Sequence, residues 1–143
     1  MRVITYGTFD TFHHGHLELF RRIKLLGSEL YVGISTDEFN LCKGKSVKFT
    51  YQCRKEWVAN VRYVDFVFPE YSWFQKELDI KTYKIDLLVM GDDWKGKFDQ
   101  LPCKVLYLPR TPNISSTDIK TISTGSQTVG ATDDMFVRQA STF

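Results

Sequence analysis

The sequence predicts an α/β domain: a five-stranded parallel sheet with helices on both faces. Three observations carry that expectation. Short, β-rich apolar runs alternate along the chain with segments of helical spacing. The 143 residues suit one domain with a sizeable core and leave little room for a second. The chemically unusual residues also follow the apolar runs, and a parallel sheet gathers its ligands at the carboxyl ends of its strands.

The first run, residues 3–6, is closed by Gly7 and reads as a buried strand. Residues 15–26 switch to a 3.6-residue period. Leu19, Phe20, Ile23 and Leu26 share one face and Glu18, Arg21, Arg22 and Lys24 the other, with Gly27 as the residue that ends the helix. Residues 29–35 give a second strand, after which Thr36 or Asp37 caps a short helix. Residues 42–49 are polar and without a period, which predicts a surface loop. Residues 51–62 read as a helix with Trp57, Val58 and Val61 inward. A third strand is expected over 64–68, stopped by Pro69, then a helix over 73–83, a fourth strand over 86–90 ending at Gly91, and a fifth over 104–108 ending at Pro109. The expected domain is 1–122. Residues 123–143, rich in Gly, Ser and Thr, are expected to form a mobile or loosely docked tail.

Composition removes several functional classes. Hydrophobic residues at 43% and charged residues at 25% describe a soluble globular chain. A net charge of +2 is too small to argue for nucleic acid or an anionic membrane, so local basic clusters must carry any phosphate argument. No apolar run approaches the roughly 18 residues that span a bilayer. Cys42, Cys53 and Cys103 form no C-x-x-C pair, as expected of reduced thiols in the cytoplasm.

The richest segment is Gly7-Thr8-Phe9-Asp10-Thr11-Phe12-His13-His14-Gly15-His16, which leads from the first strand into a helix. A helix N-terminus presents unpaired N–H groups and a partial positive charge, so it favours anions. His13 and His16 add donors there, and Gly15 lets the backbone come close. All the histidines of the chain lie in this loop. A packing role or a metal site are the other readings of such a trio, although no further zinc ligand stands at suitable spacing. Further along, Lys43-Gly44-Lys45 follows the second strand–helix unit, and Gly91-Asp92-Asp93-Trp94 follows the fourth strand. Arg110-Thr111-Pro112-Asn113-Ile114-Ser115-Ser116-Thr117-Asp118 follows the fifth. There Ser115 and Asp118 form a capping-box-like start, and Arg110, Ser116 and Thr117 crowd a second anion-binding helix N-terminus.

Gly7-Thr8-Phe9-Asp10 followed by His13-x-Gly15-His16 resembles the signature of the cytidylyltransferase branch of the nucleotidyltransferases, and within it the chain is most similar to the glycerol-3-phosphate cytidylyltransferases. The likeness runs from Val3 to about Ile122. It departs from the branch's R-T-x-G-I-S-T-T element at Asn113, in place of glycine, and at Ser116, in place of threonine. Asn tolerates a left-handed backbone and Ser keeps the hydroxyl, so the site is expected to survive both changes.

The resemblance implies a Rossmann-like nucleotidyltransferase fold and transfer of CMP from CTP to a small phosphorylated alcohol. It makes His13, His16, Lys43 and Arg110 catalytic. Thr8, Phe9, Asp10, Gly15, Lys45, Gly91, Asp93, Thr111, Ser115, Ser116 and Thr117 become the nucleotide surface. Arg54, Arg62, Asp65, Trp73 and Lys76 are assigned to the acceptor, although Trp73 reads equally as helix packing and Arg62–Asp65 as a salt bridge. Mg²⁺ is expected to travel with the triphosphate, with no protein metal cage. A homodimer is implied, as is a cytoplasmic enzyme whose CDP-alcohol feeds a surface polymer. The alternatives are another phosphate acceptor, an adenylyltransferase of the same fold, and a nucleotide-binding protein without turnover.

Overall fold

The computed structural model describes residues 1–109. Five parallel strands form one sheet in the order β3-β2-β1-β4-β5. They are β1 (Arg2–Gly7), β2 (Glu29–Ser35), β3 (Phe66–Glu70), β4 (Leu87–Gly91) and β5 (Lys104–Leu108). Helix α1 (His14–Lys24) links β1 to β2, while α2 (Asp37–Cys42) and α3 (Tyr51–Ala59) link β2 to β3. Helix α4 (Gln75–Thr82) links β3 to β4, and a single 3₁₀ turn, Asp92–Trp94, follows β4.

The strands' period of two divides the core. Val3, Leu30, Val32, Ile34, Leu87 and Val89 pack against Leu17, Phe20 and Ile23 of α1 and Val58 of α3. On the other face Ile4, Tyr6, Phe68, Leu88 and Met90 pack against Ile80 of α4 and against Phe98. Both faces are therefore covered, which is why β4 reads as an unbroken apolar run and β1 as one interrupted between Val3 and Tyr6 only by Thr5. Among the described residues no helix is long and apolar enough to cross a membrane.

Several boundaries differ from the sequence expectation, among them the start of β3 at Phe66 and both ends of α4. Pro69 lies within β3, opposite Ile34, rather than stopping the strand. Strand β3 is at the sheet edge, and proline, which has no N–H to donate, is tolerated where only one side is paired. Helix α1 is capped at Leu25, two residues before Gly27. A Cβ on Gly27 would lie 2.8 Å from the Met1 carbonyl oxygen, so this glycine allows a close backbone approach instead of ending the helix. Helix α3 stops at Ala59, and Trp57 packs half-buried on Phe49. The tail expected from residue 123 lies outside the described residues.

Strand order positions the site. The chain builds β1, β2 and β3 outward, then returns to place β4 on the other side of β1, making the β1/β4 boundary the switch point where ligands bind. Pairing between β1 and β4 covers only Val3↔Leu87 and Ile4↔Leu88, whereas β1 pairs with β2 through Gly7. The carboxyl halves of β1 and β4 thus separate into a crevice, bridged by the Thr5 hydroxyl donating to the Val89 carbonyl at 2.6 Å.

Candidate active site

Two adjoining clefts occupy that end of the sheet. One, of 340 Å³, is lined by residues 7–11 with His13, His16 and Lys45. The other, of 120 Å³, is bounded by Tyr6, Ser35, Lys43, Glu70, Trp73 and Lys76, with Met90, Trp94 and Phe98 across the switch point. Gly7, Thr8 and Lys45 belong to both, so the two volumes meet at the end of β1.

The first cleft is built by the loop's own packing. Phe9 has φ 53°, a left-handed conformation costing a non-glycine residue roughly 1–2 kcal/mol. Its ring is tucked under Gly7, where a Cβ would come within 2.6 Å of Phe9 Cζ. There it meets His16 edge-on at 5.2 Å and Phe20 at 5.3 Å. The strain is offset by this burial.

His13 and His16 form the cap of α1. The His13 Nδ1 accepts from the Gly15 amide at 3.0 Å, and the His16 Nδ1 accepts from the His13 amide at 3.3 Å. Their rings stack at 4.1 Å. An Nδ1 that accepts must be unprotonated, so each neutral ring carries its proton on Nε2 as a donor. Burial drives the His16 pKa from its ordinary 6.5 down to about 3, with His13 and Lys45 adding to the effect. Burial, and then His14, also lower His13. Both imidazoles are therefore uncharged donors at neutral pH. Gly15 contributes its N–H to the cap rather than to the cleft.

The lysine segment is held in place from three sides. Gly44 takes φ 70° just after the Lys43 cap of α2, the left-handed step that turns the chain off the helix. Both Asp10 carboxylate oxygens accept from the Lys48 amide, and one also accepts from Phe49. Arg54 closes the third side. It donates to the carbonyls of Phe49, Thr8 and Ser35 and to Asp37 at 2.7–3.0 Å, with its side chain 0% exposed. Lys45 Nζ then lies 3.3 Å from Thr8 Oγ1, which donates to Asn40 Oδ1.

In the second cleft the Lys43 ammonium donates to Ser35 Oγ at 2.9 Å and lies over the rings of Phe39 and Trp73. Ser35 Oγ in turn donates to Glu70 Oε1 at 3.2 Å, and Glu70 Oε2 accepts from Lys76 at 2.7 Å. Burial lowers the Lys43 pKa, and Glu70 opposes that. Trp73 and Trp94, 5.8 Å apart, wall this space.

His13, His16, Thr8, Phe9, Asp10 and Lys45 come together in the first cleft, and Lys43, Trp73 and Lys76 in the second. Gly91 ends β4 with open space at its Cα, and Asp93 lies in the 3₁₀ turn, lining neither cleft. Arg54 departs from the acceptor-binding expectation, because its guanidinium is buried on backbone carbonyls. Asp65 departs too: it pairs with Lys24 and accepts from the Leu30 amide at the amino end of β2, opposite the clefts. Arg62, three residues earlier, precedes the amino end of β3 and stacks over Tyr63. Arg110, Thr111, Ser115, Ser116 and Thr117 lie outside the described residues. Sequence reasoning missed Ser35, Asn40 and Glu70. Ser35 and Glu70 are polar last residues of strands, which was the available signal for both.

No group of three or more His, Cys, Asp or Glu side chains able to hold a metal exists among the described residues. Of the carboxylates flanking the histidines in sequence, Asp10 is committed to backbone amides and Glu18 to Arg21. Among the described residues the carboxylates near the clefts therefore offer no protein cage for a cation.

Comparison with known proteins gives the same picture. The family model for cytidylyltransferase-like proteins matches residues 4–122. The glycerol-3-phosphate cytidylyltransferase of Bacillus subtilis (strain 168) is 56% identical over 121 residues, covering 83% of this chain and 94% of that protein. Its namesake from Staphylococcus aureus (strain NCTC 8325 / PS 47) is 51% identical, covering 83% and 92%. The crystal structure of the lipopolysaccharide core biosynthesis protein from Thermoplasma volcanium GSS1 matches with a TM-score of 0.65 at 24% identity. It covers 78% of this chain and 96% of that one, a likeness of fold. The paired histidines at the β1 loop, the lysine-lined cleft beside them and these matches agree: the chain belongs to the cytidylyltransferase-like family of nucleotidyltransferases.

Proposed function

We propose that this protein transfers CMP from CTP to the phosphate of a small alcohol phosphate, sn-glycerol 3-phosphate first among them, giving a CDP-alcohol and pyrophosphate. The observation that carries the reading is the junction of the two clefts at Lys45. One cleft offers neutral histidine donors at a helix N-terminus, suited to a triphosphate. The other is a small cationic space suited to a second phosphate. The relatives named as glycerol-3-phosphate cytidylyltransferases, which match nearly end to end, support the choice of acceptor.

An oxygen of the acceptor phosphate attacks the α-phosphorus of CTP in line. The new P–O bond forms as the bond to the bridging oxygen breaks, and pyrophosphate leaves with the electron pair. The acceptor is already an anion, so no general base is needed, and catalysis is positioning plus stabilisation of charge on the phosphoryl oxygens. The Nε2–H donors of His13 and His16 meet the α/β-phosphate region, and Lys45 spans the attacked phosphate and the attacking one. Lys43 serves the acceptor side of that junction. By resemblance, Arg110, Thr111, Ser115, Ser116 and Thr117 complete the triphosphate site, and Gly91 and Asp93 the cytidine side.

Mg²⁺ bound to the triphosphate would neutralise part of its charge. The enzyme would work in the cytoplasm as a homodimer, which the exposed Tyr71, Phe74 and Leu78 around α4 support as an apolar surface. Sedimentation analysis tests the dimer.

The test of function is pyrophosphate release from CTP and Mg²⁺ across a panel of small phosphates, with ATP as competitor. Release with glycerol 3-phosphate is the expected result. Release only with another phosphate would move the function to that acceptor. CTP binding without release would identify a binding protein, and preference for ATP an adenylyltransferase.

A further inference from the structure

Lys43 and Lys76 both face the smaller cleft, and both lead back to one carboxylate. Glu70 is the last residue of β3, lies opposite Ser35 in the β2–β3 register, and is 3% exposed. Its Oε2 holds Lys76, whose ammonium is boxed by Tyr6 at 4.5 Å, Phe98 at 5.0 Å and Trp73 at 5.8 Å. Its Oε1 accepts from Ser35, whose Oγ accepts from Lys43. We propose that Glu70 is a positioning residue for the acceptor: it fixes Lys76 as a paired cation of the cleft wall and, through Ser35, sets the Lys43 ammonium as the cation offered to the acceptor phosphate.

Charge bookkeeping supports this division. A buried ammonium held by a buried carboxylate is neutralised locally, and aromatic faces complete its shell. Lys43 reaches the carboxylate only through a hydroxyl, so its charge stays available to an incoming anion. Burial lowers the Lys43 pKa and Lys45, Lys76 and Arg54, all cations, add to that, so Glu70 is the anion that opposes the loss of its proton. Tyr6 and Asp79, whose hydroxyl and carboxylate hydrogen bond at 2.8 Å, stand behind Lys76 and are the other titratable groups on this wall.

The inference rests on the proposed reaction, and the test separates the two. Glu70→Gln keeps the shape of the side chain and removes its charge. Steady-state kinetics with glycerol 3-phosphate and CTP should show the acceptor KM raised by about ten-fold or more, with the CTP KM within about two-fold. The basic limb of kcat/KM for the acceptor should move to lower pH, as Lys43 loses its proton earlier. Ser35→Ala, which leaves the Glu70–Lys76 pair intact, should give a smaller effect of the same kind and serves if Glu70→Gln does not fold. An active wild type whose variants leave the acceptor KM unchanged would overturn this inference alone. So would equal increases in both KM values with an unmoved pH limb, the sign of general loosening. A wild type that releases no pyrophosphate with any acceptor would overturn both readings.

Discussion

At the scale of one residue, His16 combines structure and chemistry in opposite halves of its ring. Nδ1 closes the cap of α1, while burial against Phe9 and Phe12 keeps the ring neutral, with its proton on Nε2. An uncharged donor of this kind stabilises developing phosphoryl charge without a proton having to be taken up first. Loss of one preorganised donor typically costs about 2.7–4 kcal/mol of barrier. His16→Ala should therefore lower kcat by about a hundred-fold or more, with the far-UV circular dichroism spectrum retained. A kcat close to that of the wild type would remove His16 from the chemistry. Arg54 is the contrasting case, a cation in the functional neighbourhood whose work is structural. Arg54→Met leaves the carbonyls of Thr8, Ser35 and Phe49 without their donor in a buried setting. It should destabilise the fold by about 3 kcal/mol or more, read from urea midpoints. A loss under about 1 kcal/mol would mean that the guanidinium is not the link between β1, β2 and α3.

At the scale of the element, the segment between α2 and α3 is a loop in sequence but a held structure in space. Asp10, three residues before His13, anchors it by accepting the Lys48 and Phe49 amides, which ties the histidine loop to the segment that carries the lysines. Asp10→Asn weakens those charge-assisted bonds while preserving size. The expected result is a CTP KM raised by about five-fold, with kcat nearly unchanged; an unaltered KM would show that Lys45 is placed without Asp10. This coupling also marks the limit of what the sequence made legible. The strand–helix alternation and the ligand-bearing strand ends could be read directly, because periodicity and local clustering are one-dimensional signals; residues 29–35 and 104–108 are strands as expected. Pro69 hid the last two residues of β3, and with them Glu70. The Ser35–Glu70 contact depends on strand register, and Arg54 on three separate backbone turns, neither of which leaves a pattern along the chain.

At the scale of the whole molecule, the burial that makes His16 a neutral donor also makes the fold sensitive to acid. In the unfolded chain a histidine takes up its proton as pH falls through 6.5, whereas in the folded protein His16 resists until about pH 3. The unfolded state thus binds more protons across that window. The contribution of His16 to stability is fully present above pH 6.5 and is lost at up to about 1.4 kcal/mol per pH unit below it. His13, lowered less, acts in the same direction. Asp79 acts in the opposite one: burial raises its pKa, so the folded form retains that proton longer and gains stability as pH falls toward the ordinary carboxyl range. Because Asp79 titrates from a higher starting pKa than an ordinary carboxyl, its gain partly masks the histidine loss in the wild type. Comparison with His16→Ala isolates the histidine. Urea unfolding from pH 7 to pH 4 should show a steeper loss of stability in the wild type than in the variant, by close to one proton in slope. Equal slopes would mean that His16 titrates as in an unfolded chain, and the neutral-donor role proposed for it in phosphoryl transfer would fall with that result.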